Sequence, residues 1–327
     1  MLPWHQTIWQ NLTSSKHKQR LSHGLLFHGS TGLGKSILAT QFAHWLLCEH
    51  PLAEKACGTC KSCLLIAADS HPDILNITPE ETGKAIKVDQ IRELITKVGF
   101  TSHNQGYRII IITPADALNI NASNSLLKTL EEPPENTLLI LITNKLSKLM
   151  PTIRSRTQLV RFSLPTTEES LTWLNGQNLT GTDAEALLKL GAGAPLAALE
   201  MANDDGLAIR TSLFNNWQEL SIGRSDALES AAMWLKEGFK VKGNLPYFWM
   251  ESWIADIIRS LQGASVENMV NTDFAQSLQK MAGQVDLKSA YALLDRLNDT
   301  LRITDTSANQ LILIESLLLH WSGLKRR

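Results

Sequence analysis

The sequence predicts an α/β domain with a parallel sheet, followed by two all-helical domains. Short apolar runs rich in β-branched residues alternate with apolar stripes at helical spacing as far as about residue 160. A glycine-rich loop joins the first such run to the first such stripe, and from residue 164 onward only helical spacing remains. We therefore predict a first domain over residues 1–165, a small helical domain over 166–207 and a larger helical domain over 208–327.

Bulk properties limit the possible classes of protein. The chain has 327 residues, 43% of them apolar, which is more than one compact domain usually holds. No apolar run approaches the ~20 residues of a membrane-spanning helix, and the N-terminus does not resemble a signal peptide. We expect a cytoplasmic protein with no membrane contact. The formal net charge of -1 implies that any DNA contact depends on a local patch or on partner proteins.

The first elements surround a phosphate-binding pattern. Residues 1–23 predict a packing helix, and Leu25–Phe27 predicts a short buried strand. The pattern G-x-x-x-x-G-K-[ST] follows and comprises Gly29, Ser30, Thr31, Gly32, Leu33, Gly34, Lys35 and Ser36. Its backbone N–H groups would receive the phosphates of ADP or ATP, with Lys35 on the β/γ-phosphates and Ser36 on Mg²⁺. A chance match in a glycine-rich turn is disfavoured because strand, loop and helix come in the required order.

All four cysteines lie close together behind this first helix. They are Cys48, Cys57, Cys60 and Cys63, and the last three form two overlapping C-x-x-C steps. Four thiolates at this spacing predict a closed tetrahedral Zn²⁺ site within a module over residues 48–63. The role would be structural, because four protein ligands leave no open position for catalysis. A disulfide pair is the weaker alternative in a reducing compartment.

The residues after the third predicted strand carry the strongest indication against hydrolysis. Strands are predicted over Asp73–Ile77 and Arg108–Ile112, with a helix over Val88–Val98 between them. In an ATPase of this architecture, Asp and Glu follow the strand that is here Arg108–Ile112. Thr113 and Pro114 occupy those positions, and neither offers a carboxylate to ligate a metal or accept a proton. Asp116 is either a displaced carboxylate or an ordinary acidic residue at a helix N-terminus.

The remaining elements of the first domain carry two further motifs. A helix with the pattern L-L-K-x-L-E-E-P-P ends at Pro133 and Pro134, and a strand is predicted over Leu138–Ile142. The segment T-x-R-S-R follows over residues 152–156 and leads into a strand over Leu159–Phe162. With the cysteine insertion behind a phosphate loop, these motifs resemble the clamp-loader branch of the AAA+ proteins. The resemblance covers about residues 24–160.

The resemblance implies an AAA+ fold, a helical lid and a helical collar that oligomerises. Arg156 falls on the arginine of the family's Ser-Arg-Cys motif, which projects toward ATP bound by the neighbouring subunit, although Thr157 replaces the cysteine. Leu196 or a neighbouring apolar residue stands where hydrolysing relatives place a nucleotide-sensing arginine. Together with Thr113 and Pro114, this implies a non-hydrolysing subunit of the bacterial DNA polymerase III clamp loader.

Such a subunit would have no catalysis of its own but would belong to a DNA-directed DNA polymerase holoenzyme. It would help load the sliding clamp onto primed DNA during DNA replication. The implied partners are the ATPase subunits gamma/tau, the delta subunit, the clamp directly or indirectly, and DNA through the assembled complex. One rival is an ATP-hydrolysing, gamma/tau-like motor subunit, against which Thr113 and Pro114 argue. A P-loop small-molecule kinase is a second rival, but it has no use for a zinc loop and two helical domains.

Overall fold

A computed structural model of the protein describes residues 1–81, 83–98, 106–177, 179, 184–203, 206–238, 245–304 and 308–324. The chain forms two compact units, Met1–Glu169 and Ser170–Arg327. Within the described ranges, no helix is both long enough and apolar enough to cross a membrane. The predicted division of the second unit near residue 207 stays a prediction.

Among its described residues, the first unit contains a five-stranded sheet and six α-helices. Its strands are β1 (Gly24–His28), β2 (Ile74–Ile77), β3 (Arg108–Ile112), β4 (Thr137–Thr143) and β5 (Gln158–Arg161). Its helices are α1 (Gln6–His17), α2 (Lys35–Leu47), α3 (Lys61–Ala67), α4 (Val88–Val98), α5 (Ile120–Glu131) and α6 (Pro151–Ser155). Short 3₁₀ helices span Pro3–His5, Ala115–Ala117 and Leu146–Lys148.

The sheet places the glycine loop beside its central strands. The strand order is β2-β3-β4-β1-β5, and every pairing is parallel. All residues of β3 and β4 are buried, as expected for strands covered by helices on both faces. Because the strands are parallel, the segments that follow β1, β3 and β4 meet at one edge of the sheet. The predicted parallel α/β fold is therefore confirmed.

The second unit is helical. Its α-helices are α7 (Thr167–Asn175), α8 (Ala184–Leu190), α9 (Pro195–Asn203), α10 (Gly206–Ser221), α11 (Ala227–Met233), α12 (Leu245–Leu261), α13 (Ala275–Ala282), α14 (Leu287–Ile303) and α15 (Gln310–Ser322). A π-helical turn spans Trp234–Gly238, and 3₁₀ helices span Val266–Asn268 and Thr272–Phe274. Large aromatic side chains fill its main core, with Trp217 stacked on Trp321 at a centroid distance of 4.1 Å. A smaller apolar cluster joins α7, α8 and α9.

A buried carboxylate ties the loop before α13 to α12. Asp256 is fully buried and accepts hydrogen bonds from the backbone N–H groups of Val270 (3.1 Å) and Asn271 (2.8 Å). The side-chain amide of Asn271 donates a third at 2.7 Å, and Arg259 pairs with the carboxylate at 2.5 Å. Since buried charges need partners on every side, this network helps to fix the packing of the helical unit.

Candidate functional site

The glycine loop occupies the turn between β1 and α2. Gly34 lies immediately before α2 and adopts a left-handed conformation with φ of 78°, which lets the chain enter the helix sharply. At Gly29, φ is 148° and a Cβ would lie 2.3 Å from the carbonyl oxygen of Phe162. A side chain at either position would distort the loop. The glycines thus allow the tight turn that places this loop at the N-terminus of α2, where unpaired N–H groups favour an anion.

Lys35 is folded back onto this loop. Its Nζ donates to the carbonyl oxygens of Gly29 at 2.9 Å and Ser30 at 2.6 Å, and the residue is only 5% exposed. Burial lowers the pKa of the Lys35 amine to about 8, although the charge of Asp116 opposes part of that change. A nucleotide phosphate would have to replace the two carbonyl contacts.

The N-terminal segment packs against the other side of the loop. The indole Nε1 of Trp4 donates to the carbonyl oxygen of Leu33 at 3.0 Å, and Nε2 of His5 lies 2.7 Å from the same oxygen. His5 is fully buried, and burial lowers the pKa of its imidazole. The sequence predicted a packing helix here but did not reveal these contacts, which join residues 28 and 29 positions apart.

The edge beyond β3 lacks the carboxylate pair of an ATPase. Thr113 and Pro114 directly follow β3, as the sequence requires. Asp116 lies in the adjoining 3₁₀ helix, and its Oδ1 accepts a 2.5 Å hydrogen bond from the hydroxyl of Thr143 at the end of β4. Asn119, not Asp116, caps α5 by accepting a hydrogen bond from the N–H of Ala122. Asp116 is thus a single carboxylate held at the end of β4.

Arg156 lies at the opposite edge of the sheet from the glycine loop. It precedes β5, and its carbonyl oxygen is 3.4 Å from where a Cβ on Gly24, the first residue of β1, would lie. The loop begins after His28, the last residue of β1, about 13 Å away at the usual rise per residue. Arg156 is about one-third exposed, and its guanidinium contacts Glu131. The structure does not bring Arg156 to this chain's own loop.

The four cysteines converge at a third place in the first unit. Their sulfur atoms all lie within 4.8 Å of one another, and none is in a disulfide. Sulfurs about 3.8 Å apart surround a tetrahedral Zn²⁺ with bonds of about 2.3 Å, so the cluster has suitable dimensions. Cys48 follows α2, and Cys60 caps α3 by accepting from the N–H of Cys63. This cluster can hold a metal ion.

The surroundings of the cysteines change the pKa values of their thiols in opposite directions. Backbone N–H groups of Thr59 and Cys60 hold the pKa of the Cys57 thiol at about 6. Gly58 allows that turn by adopting a φ of 78°. Burial instead raises the pKa of the Cys63 thiol to about 12, so this side chain needs a cation to ionise at neutral pH.

The insertion is also joined to the sheet. The hydroxyl of Ser62 lies 2.9 Å from Nε2 of His71. Nδ1 of that ring accepts from the N–H of Asp73 just before β2. Because Nδ1 is an acceptor, Nε2 carries the proton and donates to Ser62. The pair is consequently a structural link and not a nucleophile with its base.

Comparison with known proteins shows which family this chain resembles. A family model described as DNA polymerase III, delta subunit, matches residues 4–166, and the C-terminal model of that family matches residues 204–323. DNA polymerase III subunit delta' of Pseudomonas aeruginosa is 34% identical over 98% of this chain and 97% of its own length. The Escherichia coli K12 protein of the same name is 30% identical over 97% of this chain and 94% of its own length.

A solved structure supports the fold. The gamma subunit-related protein of Thermotoga maritima superposes with a TM-score of 0.50 at 17% identity, covering 96% of this chain and 99% of its own. At that identity the likeness concerns architecture alone. The family is shown by the two family models and by the delta' relatives, which match nearly the whole chain. The chain belongs to the delta' subunit family of DNA polymerase III.

Proposed function

We propose that this chain is a non-hydrolysing subunit of the clamp loader of DNA polymerase III. In that role it helps to place the sliding clamp on primed DNA within the cytoplasm. Membership of the delta' family supports the assembly, and the segment after β3 carries the claim about hydrolysis. Thr113 and Pro114 supply no carboxylate to bind Mg²⁺ or to activate water, and Oδ1 of Asp116 already accepts a hydrogen bond from Thr143.

The proposal assigns Arg156 to the nucleotide of a neighbouring subunit. Its support is the position of Arg156 about 13 Å along β1 from the chain's own phosphate loop, too far for its guanidinium to serve a nucleotide bound there. A guanidinium is permanently cationic and forked, so it can stabilise charge on a transferring phosphoryl group. The partners proposed are the gamma/tau ATPase subunits and the delta subunit. Contact with the clamp would be direct or indirect, and contact with DNA would come through the assembled complex.

Two bound species complete the proposal. A structural Zn²⁺ would be held by Cys48, Cys57, Cys60 and Cys63, whose sulfurs have suitable separations. ADP or ATP would bind the loop over residues 29–36 through backbone N–H groups and Lys35. Affinity would be weak, because Lys35 must give up two internal hydrogen bonds. Mg²⁺ is left out of the proposal, since Thr113 and Pro114 offer it no carboxylate.

The test uses clamp loaders assembled from all subunits. Arg156→Ala should leave this chain folded and its nucleotide binding intact, while clamp loading by the complex falls. Removal of an arginine finger costs on the order of 10³ to 10⁵ in rate at the affected site, so total ATPase of a ring with several sites would fall by a smaller factor. Arg156→Lys should restore little, because a point charge cannot form the planar fork.

Arg154 supplies the matched control. It lies two residues away on α6, and Arg154→Ala should have a smaller effect. If complexes with Arg156→Ala load clamps and hydrolyse ATP at the parental rates, Arg156 has no role in catalysis.

The second candidate function is an ATP-hydrolysing motor subunit. The position of Asp116 favours it, because this carboxylate lies at the carboxyl edge of the sheet and its charge acts on Lys35. Turnover by the isolated chain at the rate of ordinary ATPases, lost in both Lys35→Ala and Asp116→Asn, would establish that function. Turnover at background level supports the non-hydrolysing assignment.

A further inference from the structure

The guanidinium of Arg156 is held in one orientation within the chain. Its Nε and Nη2 both donate to Oε1 of Glu131, at 2.8 and 2.6 Å. Its Nη1 donates to the carbonyl oxygen of Thr152 at 3.0 Å and lies 3.4 Å from the hydroxyl of Ser155. A guanidinium has five N–H hydrogens, and one of the two on Nη2 takes no part in these contacts. The contacts fix the direction of the side chain before any partner arrives.

The position of Glu131 is electrostatically unfavourable within its own helix. It is the last residue of α5, and a carboxylate at a helix C-terminus is disfavoured by the helix dipole. Arg156 compensates for that placement across 25 residues of sequence. The backbone is well fixed at both ends of this contact. Leu130 precedes Glu131, and the carbonyl oxygen of Ile153 accepts from the backbone N–H of Arg156 at 3.1 Å. Leu130 and Ile153 are 2% and 0% exposed and belong to one apolar cluster.

We propose that Glu131 is a positioning residue for the arginine finger. The inference rests on the function proposed above, in which Arg156 reaches a nucleotide on the neighbouring subunit. A long arginine side chain loses rotamer freedom when it binds a phosphate. By holding the guanidinium through Nε and Nη2, Glu131 imposes part of that ordering before assembly. The free Nη2 hydrogen then stays available to the phosphate, and Nη1 becomes so by leaving the carbonyl of Thr152.

The opposite role makes a different prediction. If Glu131 were a latch that competes with phosphate for Arg156, its removal would release the arginine and raise the hydrolysis rate. Positioning depends on an acceptor oxygen at the right reach, whereas a latch depends on negative charge. Glu131→Gln keeps the oxygen and removes the charge, and Glu131→Asp keeps the charge and shortens the reach. These two variants therefore separate the roles.

The experiment measures ATP hydrolysis and clamp loading by complexes that contain all subunits. With Glu131→Ala, clamp loading should fall about fivefold. This is the factor in rate that corresponds to the free energy contributed by one exposed ion pair. Glu131→Gln should retain most of the parental rate, and Glu131→Asp should behave like Glu131→Ala. In complexes that carry Arg156→Ala, the added Glu131→Ala change should have no further effect. The neighbouring exposed Glu132→Ala is the control and should leave both rates unchanged.

The outcomes distinguish this inference from the function on which it rests. Parental rates for Glu131→Ala, together with a defect for Arg156→Ala, would overturn the positioning role and leave the arginine finger intact. Faster hydrolysis in both Glu131→Ala and Glu131→Gln would also overturn it, in favour of a latch. Parental rates for Arg156→Ala would remove both proposals. Unfolding midpoints of each variant chain should match the parent, and a lower midpoint for Glu131→Gln would mean that the residue supports the fold instead.

Discussion

Lys35 should make nucleotide binding depend on pH in the range from 7 to 9. In the nucleotide-free protein its pKa is about 8, because burial disfavours the charged amine. The phosphates of ADP select the protonated amine. Since the pKa is lowered, the amine carries its charge below about pH 8 and loses it above. The affinity for ADP should therefore be greatest at the acidic side of pH 8 and fall as the pH rises.

The size of the effect follows from the titration of one group. At pH 7 about nine-tenths of Lys35 is protonated, and at pH 9 about one-tenth is. The apparent association constant should fall about tenfold between these two values, which corresponds to about 1.4 kcal/mol of binding free energy. The phosphates of ADP change their own charge little over this interval, so the slope belongs to the protein.

Calorimetric or fluorescence titration of the purified chain with ADP at a series of pH values measures this slope. Lys35→Arg is the control, because its side chain stays charged throughout and its affinity should not change with pH. Lys35→Met should bind weakly at every pH. An affinity of the parent chain that is constant from pH 7 to 9, or an equal slope in Lys35→Arg, would refute the assignment of Lys35 to the phosphates.

Two further predictions concern metal and stability. Metal analysis of protein purified without chelator should find one Zn²⁺ per chain, and zinc-free protein would contradict the site. The Cys60→Ser variant should lose the metal, and residues 48–67 should become sensitive to protease while the sheet stays folded. Asp256→Ala should lower the free energy of unfolding in urea by about 3 kcal/mol, because it leaves buried donors unpaired, whereas Asp299→Ala in an exposed ion pair should change it little. A parental midpoint for Asp256→Ala would contradict the network.

The strands and the loop could be predicted because their signals are local. A run such as Arg108–Ile112 has one stable environment, a strand buried on both faces, and the observed β3 has those bounds. The strand predicted over Leu138–Ile142 extends by one residue at each end in β4. The cysteine cluster was predictable for the same reason, since overlapping C-x-x-C steps bring sulfurs together wherever the backbone turns.

The pairings that shape the sites were not predictable, because they join distant residues. Nothing in the sequence indicates that Glu131 contacts Arg156 or that Thr143 binds Asp116, since each pair depends on two helices or strands meeting in space. The L-E-E-P-P run resembles a family pattern, but that pattern does not indicate which of its two glutamates has a partner. The contacts of Trp4 and His5 with Leu33 are of the same kind.

An intact phosphate loop and a missing carboxylate pair are compatible because binding and hydrolysis depend on different elements. Binding uses backbone donors fixed by glycine conformations at Gly29 and Gly34, together with the N-terminus of α2. Hydrolysis needs carboxylates after β3, and that segment can change to Thr113 and Pro114 without disturbing the loop. Arg156 depends on neither, since it lies at the amino end of β1. The proposed function, in which the chain has no turnover of its own and Arg156 acts on the nucleotide of a neighbour, therefore needs no change in the phosphate loop.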